Sequence, residues 1–162
     1  MVNTVYLSLG SNMGNMQAIV HSALSAIDID EKCNIIKTSN LYKTQPWGIT
    51  EQAHFLNVVC CISTTYTPVQ LLNFINGIEH NFGRARTAYN KWQGRTLDID
   101  ILLFNNEVIH STILTIPHTH LHKRNFVLVP LCEIAPNVLH PIFNKTIMQL
   151  QAECTDVSWV EK

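Results

Sequence analysis

A chain of 162 residues, 46% hydrophobic, with 11 basic and 12 acidic side chains, can build one good core. It lacks the broad basic excess of a dedicated nucleic-acid binder. Five cysteines with no Cys-x-x-Cys spacing argue against a disulfide framework or zinc knuckle and suit a reducing cytoplasm.

Residues 4–9 are β-rich and stop at Gly10-Ser11-Asn12, which predicts a first strand ending in a tight turn. No basic head precedes this stretch, so it reads as structure and not as a leader, and no apolar run approaches the ~20 residues of a membrane span. Ile19, Val20, Ala23, Leu24 and Ile27 recur at helical spacing, with Asn12 or Asn15 able to cap the helix. Residues 35–42 predict a second strand and residues 44–48, Thr-Gln-Pro-Trp-Gly, a loop. Residues 55–65 predict a third strand, the hairpin partner of the second.

Thr67-Pro68-Val69-Gln70 has the form of a capping box with proline at the first helical position. Leu71, Leu72, Ile75, Ile78 and Phe82 carry the helical stripe that follows, and Gly83 stops it. Residues 84–95 show no apolar periodicity and predict a long exposed loop, a length associated with function or disorder. Residues 97–104 predict a strand, Asn105-Asn106 a turn, and Val108 and Ile109 a short return. A helix over 126–134 would contain Pro130 as an irregularity, and a weaker helix is expected over 146–152. No repeat or Gly/Ser linker divides the chain, so 1–162 is expected to form a single domain. The order β, α, β, β, α, β predicts a ferredoxin-like α+β sandwich, an antiparallel sheet with helices packed on it and C-terminal helical additions. In that topology Gly10, the Phe55 end and the pair Asp98 and Asp100 approach one edge.

Arg84, Arg86, Lys91 and Arg95 fall between Glu79 and Asp98 with no acidic residue among them. Asp98 and Asp100 then stand two apart on a strand, facing one side with backbones about 6.6 Å apart. Such a pair is also the pattern of a solvated strand face. Here the apolar run Ile101 to Phe104 follows, and buried carboxylates are costly unless paired or metal-bound. Mg²⁺ takes carboxylate and phosphate oxygens, whereas guanidinium forks grip phosphate, so the segment outlines a site for Mg²⁺ and a polyphosphate.

Several blocks stand in order along the chain: Gly10-Ser11-Asn12, residues 42–48 (Tyr-Lys-Thr-Gln-Pro-Trp-Gly), Phe55-Leu56-Asn57, Gly83-Arg84-Ala85-Arg86, residues 92–100 (Trp-Gln-Gly-Arg-Thr-Leu-Asp-Ile-Asp), and Ile116-Pro117-His118 with Arg124 and Phe126. Together they resemble the 6-hydroxymethyl-7,8-dihydropterin pyrophosphokinases of folate biosynthesis over essentially the whole length. The resemblance implies transfer of the β,γ-diphosphate of ATP to the pterin hydroxymethyl group with release of AMP. It implies two Mg²⁺ ions on Asp98 and Asp100, with Arg84 and Arg86 also catalytic. Glu79, Arg84, Arg86, Trp92, Arg95, His118 and Arg124 would bind ATP. Gly10, Thr44, Gln45, Trp47, Phe55, Asn57, Asp98 and Phe126 would bind the pterin, with Phe55 and Phe126 stacking on its two faces. The loops at 10–15, 44–53 and 83–95 would close over the substrates, nucleotide binding first. Nucleic acid, membrane and an obligate protein partner are not expected. Ile113 and Thr119 stand where some members of that family carry other residues, and Gln93-Gly94 stands in place of a frequent Gly-Pro; each bears on nucleotide affinity.

Two other readings compete. His118, His120 and His122 alternate, and on a strand would share a face as a three-histidine zinc site. A ferredoxin-like module binding RNA through aromatics on its sheet is the second. Paired carboxylates count against it, because without metal they repel a phosphate backbone.

Overall fold

The computed structural model describes residues 1–48, 51–83 and 96–162; the basic segment 84–95, with Arg84, Arg86, Lys91, Trp92 and Arg95, lies outside the described residues. In chain order the elements are β1 (Asn3–Ser11), α1 (Met16–Asp28), β2 (Cys33–Thr38), β3 (Tyr42–Thr44), β4 (Phe55–Thr64), α2 (Pro68–Asn81) and β5 (Asp98–Phe104). The remainder comprises β6 (Ile109–His110), β7 (Thr115–Ile116), a 3-10 turn (Leu121–Lys123), α3 (Asn125–Ile134), β8 (Leu139–His140), β9 (Lys145–Thr146), α4 (Ile147–Glu153) and β10 (Val160–Glu161). β1 lies between β4 and β5, all antiparallel, and β2 and β3 both pair with the far edge of β4. This is the strand order of a ferredoxin-like sheet, as the sequence predicts.

The period of two in the central strands divides the core into two layers. Val5, Leu7 and Leu9 of β1, with Val58, Cys60 and Ile62 of β4 and Ile99 and Ile101 of β5, turn toward α1 and α2. The opposite face carries Val59 and Leu103, which pack with Val127, Leu128 and Leu131 of α3 and Leu150 of α4. β5 serves both layers through a register shift against Tyr6 and Leu7. Leu103 opposes Tyr6, Ile101 opposes Leu7, and Leu102 is the extra residue, so Leu102 and Leu103 both join the α3 layer.

The expected helix starts hold. Asn15 caps α1, its side chain accepting from Ala18 N, and Thr67 and Gln70 form the reciprocal box at α2. Thr146 and Gln149 form a second box at α4. Pro130 sits inside α3 and is buried, so its missing N–H is tolerated within a packed helix.

Three expectations change. The strand predicted over 35–42 is two strands, because Ser39 interrupts the ladder: its N–H donates to Val59 O at 2.8 Å while its Oγ accepts from Val59 N at 3.0 Å. A side-chain oxygen there replaces a backbone carbonyl, and the strand restarts at Tyr42. Thr44 correspondingly belongs to β3 and not to the loop. The return after Asn105 does not extend the main sheet; β6 pairs with β7. Asn105 is held instead by Asn3 and Thr4, its N–H donating to Thr4 O and its Nδ2 to Asn3 Oδ1. Finally, β10 adds a strand beyond β3 that no periodicity announces.

Candidate active site

Antiparallel register assembles the site. Gly10 stands opposite Asn57 on one side and Asp98 on the other, Ser8 stands opposite Asp100, and Thr44 opposes Phe55. Directly opposed residues share a face, so Asp98, Asp100, Ser8 and Asn57 all project on the α3 side of the sheet. There they floor an open cleft with about 760 Å³ of empty space. Gln45, Pro46, Trp47 and Gln52 form one wall, and Arg124 and Phe126 the other. Phe55 and Phe126 are half-buried and reach the cleft from β4 and the first turn of α3.

Gly10 is required for the close approach of Asn57. A Cβ at position 10 would lie 2.6 Å from Asn57 Oδ1. The amide nitrogen of Asn57 donates to Thr44 Oγ1 at 2.6 Å, and both side chains are buried. The amide is thereby oriented with its nitrogen toward β3 and its oxygen over Gly10. The turn after β1 is tied to the far loop as well, with Asn12 Nδ2 donating to Gln52 Oε1 at 3.3 Å.

Glu79 is 2% exposed on the buried stripe of α2, and its Oε1 accepts from Ile99 N at 2.7 Å. Among the described residues β5 is the sheet edge, so that N–H meets no strand partner beyond it. The carboxylate takes the place of one and fixes the strand between the two aspartates.

Asp98 and Asp100 are partly exposed and oxygen-rich, the donor chemistry that a hard divalent cation takes. His118 Nδ1 accepts from His120 N at 3.1 Å, so in the neutral ring Nε2 carries the proton, and Nε2 lies 3.9 Å from Asp100 Oδ2. Burial first, then the Arg124 guanidinium and His120, push the His118 pKa down to about 4, outweighing the opposing pull of Asp98. The ring is therefore a neutral donor near pH 7. The Arg124 guanidinium lies 4.6 Å from the Trp47 centroid and 5.6 Å from that of Phe126, a cation–π bridge between the walls.

The floor and walls thus gather Gly10, Thr44, Gln45, Trp47, Phe55, Asn57, Asp98, Asp100, Arg124 and Phe126, ten of the residues singled out from sequence. His118 stands beside Asp100, and Glu79 lies behind β5, against its backbone. Arg84, Arg86, Trp92 and Arg95 lie outside the described residues. The three histidines do not converge: His120 tilts toward Trp47, His122 packs edge-on against Phe143, and among the described residues no group of three His, Cys, Asp or Glu is placed to hold a metal. Of the departures, Ile113 and Thr119 are exposed. Sequence reasoning missed Ser8, Pro46 and Gln52 in the lining. Ser8 was accessible to it, since it stands two residues before Gly10 on the same strand face.

Comparison with known proteins agrees with this geometry. The family model for 7,8-dihydro-6-hydroxymethylpterin-pyrophosphokinase (HPPK) matches residues 6–136. The 2-amino-4-hydroxy-6-hydroxymethyldihydropteridine pyrophosphokinase of Aquifex aeolicus is 41% identical over 152 residues, covering 94% of this chain and 92% of the relative. That of Haemophilus influenzae is 42% identical over 138 residues, covering 85% of each. A solved Plasmodium falciparum HPPK-DHPS chain with the A437G substitution superposes with a TM-score of 0.77 at 18% identity over 94% of this chain, which spans 45% of that longer one, a likeness of fold. The chain belongs to the 7,8-dihydro-6-hydroxymethylpterin-pyrophosphokinase family, whose reaction is pyrophosphoryl transfer to hydroxymethyldihydropterin in folate biosynthesis.

Proposed function

We propose that the donor is ATP, that its β,γ-diphosphate passes to the hydroxymethyl oxygen of 6-hydroxymethyl-7,8-dihydropterin, and that AMP leaves. The observation that carries this reading is the placement of Asp98 and Asp100 on one face of β5, in the same cleft as Phe55, Asn57 and Phe126. The acceptor oxygen forms a bond to the β-phosphorus as the bond from that phosphorus to the α,β-bridging oxygen breaks, and the hydroxyl proton is lost to water.

The cleft residues divide the work. Phe55 and Phe126 hold the flat heterocycle by its faces, at the roughly 4.5–7 Å centroid separations of aromatic stacks. Asn57, oriented by Thr44, and the backbone near Thr44 and Gln45 satisfy its polar edge, with Gly10 and Trp47 bounding the slot. Asp98 and Asp100 would hold two Mg²⁺ ions, which when bound neutralise the triphosphate and stabilise the charge that develops on it. His118 offers its Nε2 proton to a phosphate oxygen, and Arg84, Arg86, Arg95 and Arg124 supply guanidinium forks, with Glu79 and Trp92 nearby. In a loose phosphoryl transition state, such positioning and electrostatics supply most of the acceleration. Residues 1–162 act as one catalytic unit with no obligate protein partner, and five free thiols suit a reducing cytoplasm.

The test is AMP formation from ATP, measured with and without the pterin and with and without Mg²⁺. AMP should appear only when both are present, chelation should abolish it, and Asp98→Ala and Asp100→Ala should each remove turnover while circular dichroism stays native. AMP formation independent of the pterin, or full activity in either variant, would overturn the reading.

A further inference from the structure

The segment 156–161 touches both walls of the cleft although it lines neither. Its first residue, Asp156, accepts from Asn125 N at 2.9 Å through Oδ2 and from Ser158 N at 3.0 Å through Oδ1. Asn125 opens α3, and the residue before it, Arg124, makes no side-chain cap. The helix therefore receives its N-terminal acceptor from a residue 31 positions away. Asn125 Nδ2 returns a bond to Ser158 O at 3.3 Å. Arg124 and Phe126, the two cleft residues of this wall, flank Asn125 directly.

Within three residues the same segment reaches the opposite wall. Gln45 N donates to Trp159 O at 3.1 Å, Trp159 N donates to Gln45 Oε1 at 3.3 Å, and Val160 pairs with Thr44 in the ladder. Beyond the segment, burial tends to raise the Glu133 pKa, but hydrogen bonds from Tyr42 and Asn40 and the charge of Lys162 bring it below its usual range. The side chains of the segment contribute little core, Val157 being 95% exposed and Trp159 40%. What the segment does is polar and directional: it bonds one wall to the other.

We propose that Asp156, four residues before β10, is a positioning residue that fixes the start of α3, and with it Arg124 and Phe126, at a set separation from Thr44 and Gln45. This inference rests on reading the cleft as the heterocycle slot. The slot has stacking rings from different elements, Phe55 from β4 and Phe126 from α3, and its width is not set by either strand or helix alone. A displacement of order 1 Å is enough to degrade such a site.

The experiment compares Asp156→Ala, Asp156→Asn and Asn125→Ala with wild type. Asp156→Ala should raise KM for the pterin about tenfold and KM for ATP by a clearly smaller factor, because Arg124 shifts with Phe126 but is one of four guanidinium groups assigned to the phosphates. Asp156→Asn keeps one acceptor oxygen and should recover much of the loss. Asn125→Ala removes only the Ser158 bond and gives the same trend at smaller size should the first variant not fold. Amide hydrogen exchange should quicken about tenfold at residues 125–128 and at Gln45 while β1 and β4 keep their protection. Unchanged pterin KM, equal losses for both substrates, or unchanged exchange at these positions would overturn the proposal. Absence of pterin-dependent AMP formation in the wild type would sink the catalytic reading instead, and the exchange pattern would still decide whether Asp156 spans the two walls.

Discussion

At Gly10 a single methyl group decides whether Asn57 keeps its orientation. Gly10→Ala would force the Asn57 amide away from a contact of 2.6 Å and strain its bond to Thr44. Pterin KM should rise about tenfold with the fold retained, as steady-state kinetics and a melting curve will show. Glu79 makes the opposite case, a charged residue whose immediate partner is backbone. Glu79→Ala strips the buried Ile99 N–H of its acceptor and should cost about 1–3 kcal/mol in urea unfolding. Asp98 and Asp100 were legible in the sequence because the strand period places residues two apart on one face. The role of Glu79 was not: an acid inside an amphipathic helix looks like a surface residue, and its partner is an amide 20 positions on.

Among elements, those with long periodic patterns were readable and those made by local exchange of partners were not. α1, α2 and β4 follow from apolar spacing, and the box at Thr67 from four residues. Thr67→Ala should destabilise the protein by about 1 kcal/mol in urea while leaving both KM values unchanged, because the start of α2 is remote from the cleft. The break between β2 and β3 depends on a serine hydroxyl standing in for a carbonyl, which has no pattern in one dimension. Two-residue strands such as β10 carry no period at all, so the cross-wall bonds of the C-terminal segment stay hidden until the chain is folded.

For the molecule as a whole, pH dependence has an identifiable contributor outside the cleft. His140 is 1% exposed, and its Nδ1 accepts from Ile142 N and Phe143 N at 3.3 and 3.4 Å. Burial, helped by His122, pushes its pKa down to about 4. The unfolded chain binds that proton near pH 6.5. Its contribution to stability is therefore complete above about 6.5 and is lost as pH falls from there toward 4. His140→Asn, which keeps an acceptor oxygen, should lose less stability between pH 7.5 and 5 than wild type in paired urea titrations.

The additional residue in β5 has a consequence for how the chain can vary. Ahead of Leu102 the acids point into the cleft, and beyond it the alternation is reset, so that Leu103 anchors α3 while Phe104 returns to the α1 side. Leu102 thus acts as a phase shifter, letting the reactive half of the strand and its anchoring half be tuned separately. Deleting it would restore an unbroken register, with Asp98, Asp100 and Leu103 still on the α3 face and Phe104 on the other, and would remove only the packing that Leu102 adds to the α3 layer. At this point the strand surrenders packing, and not alignment, when it is shortened by one residue.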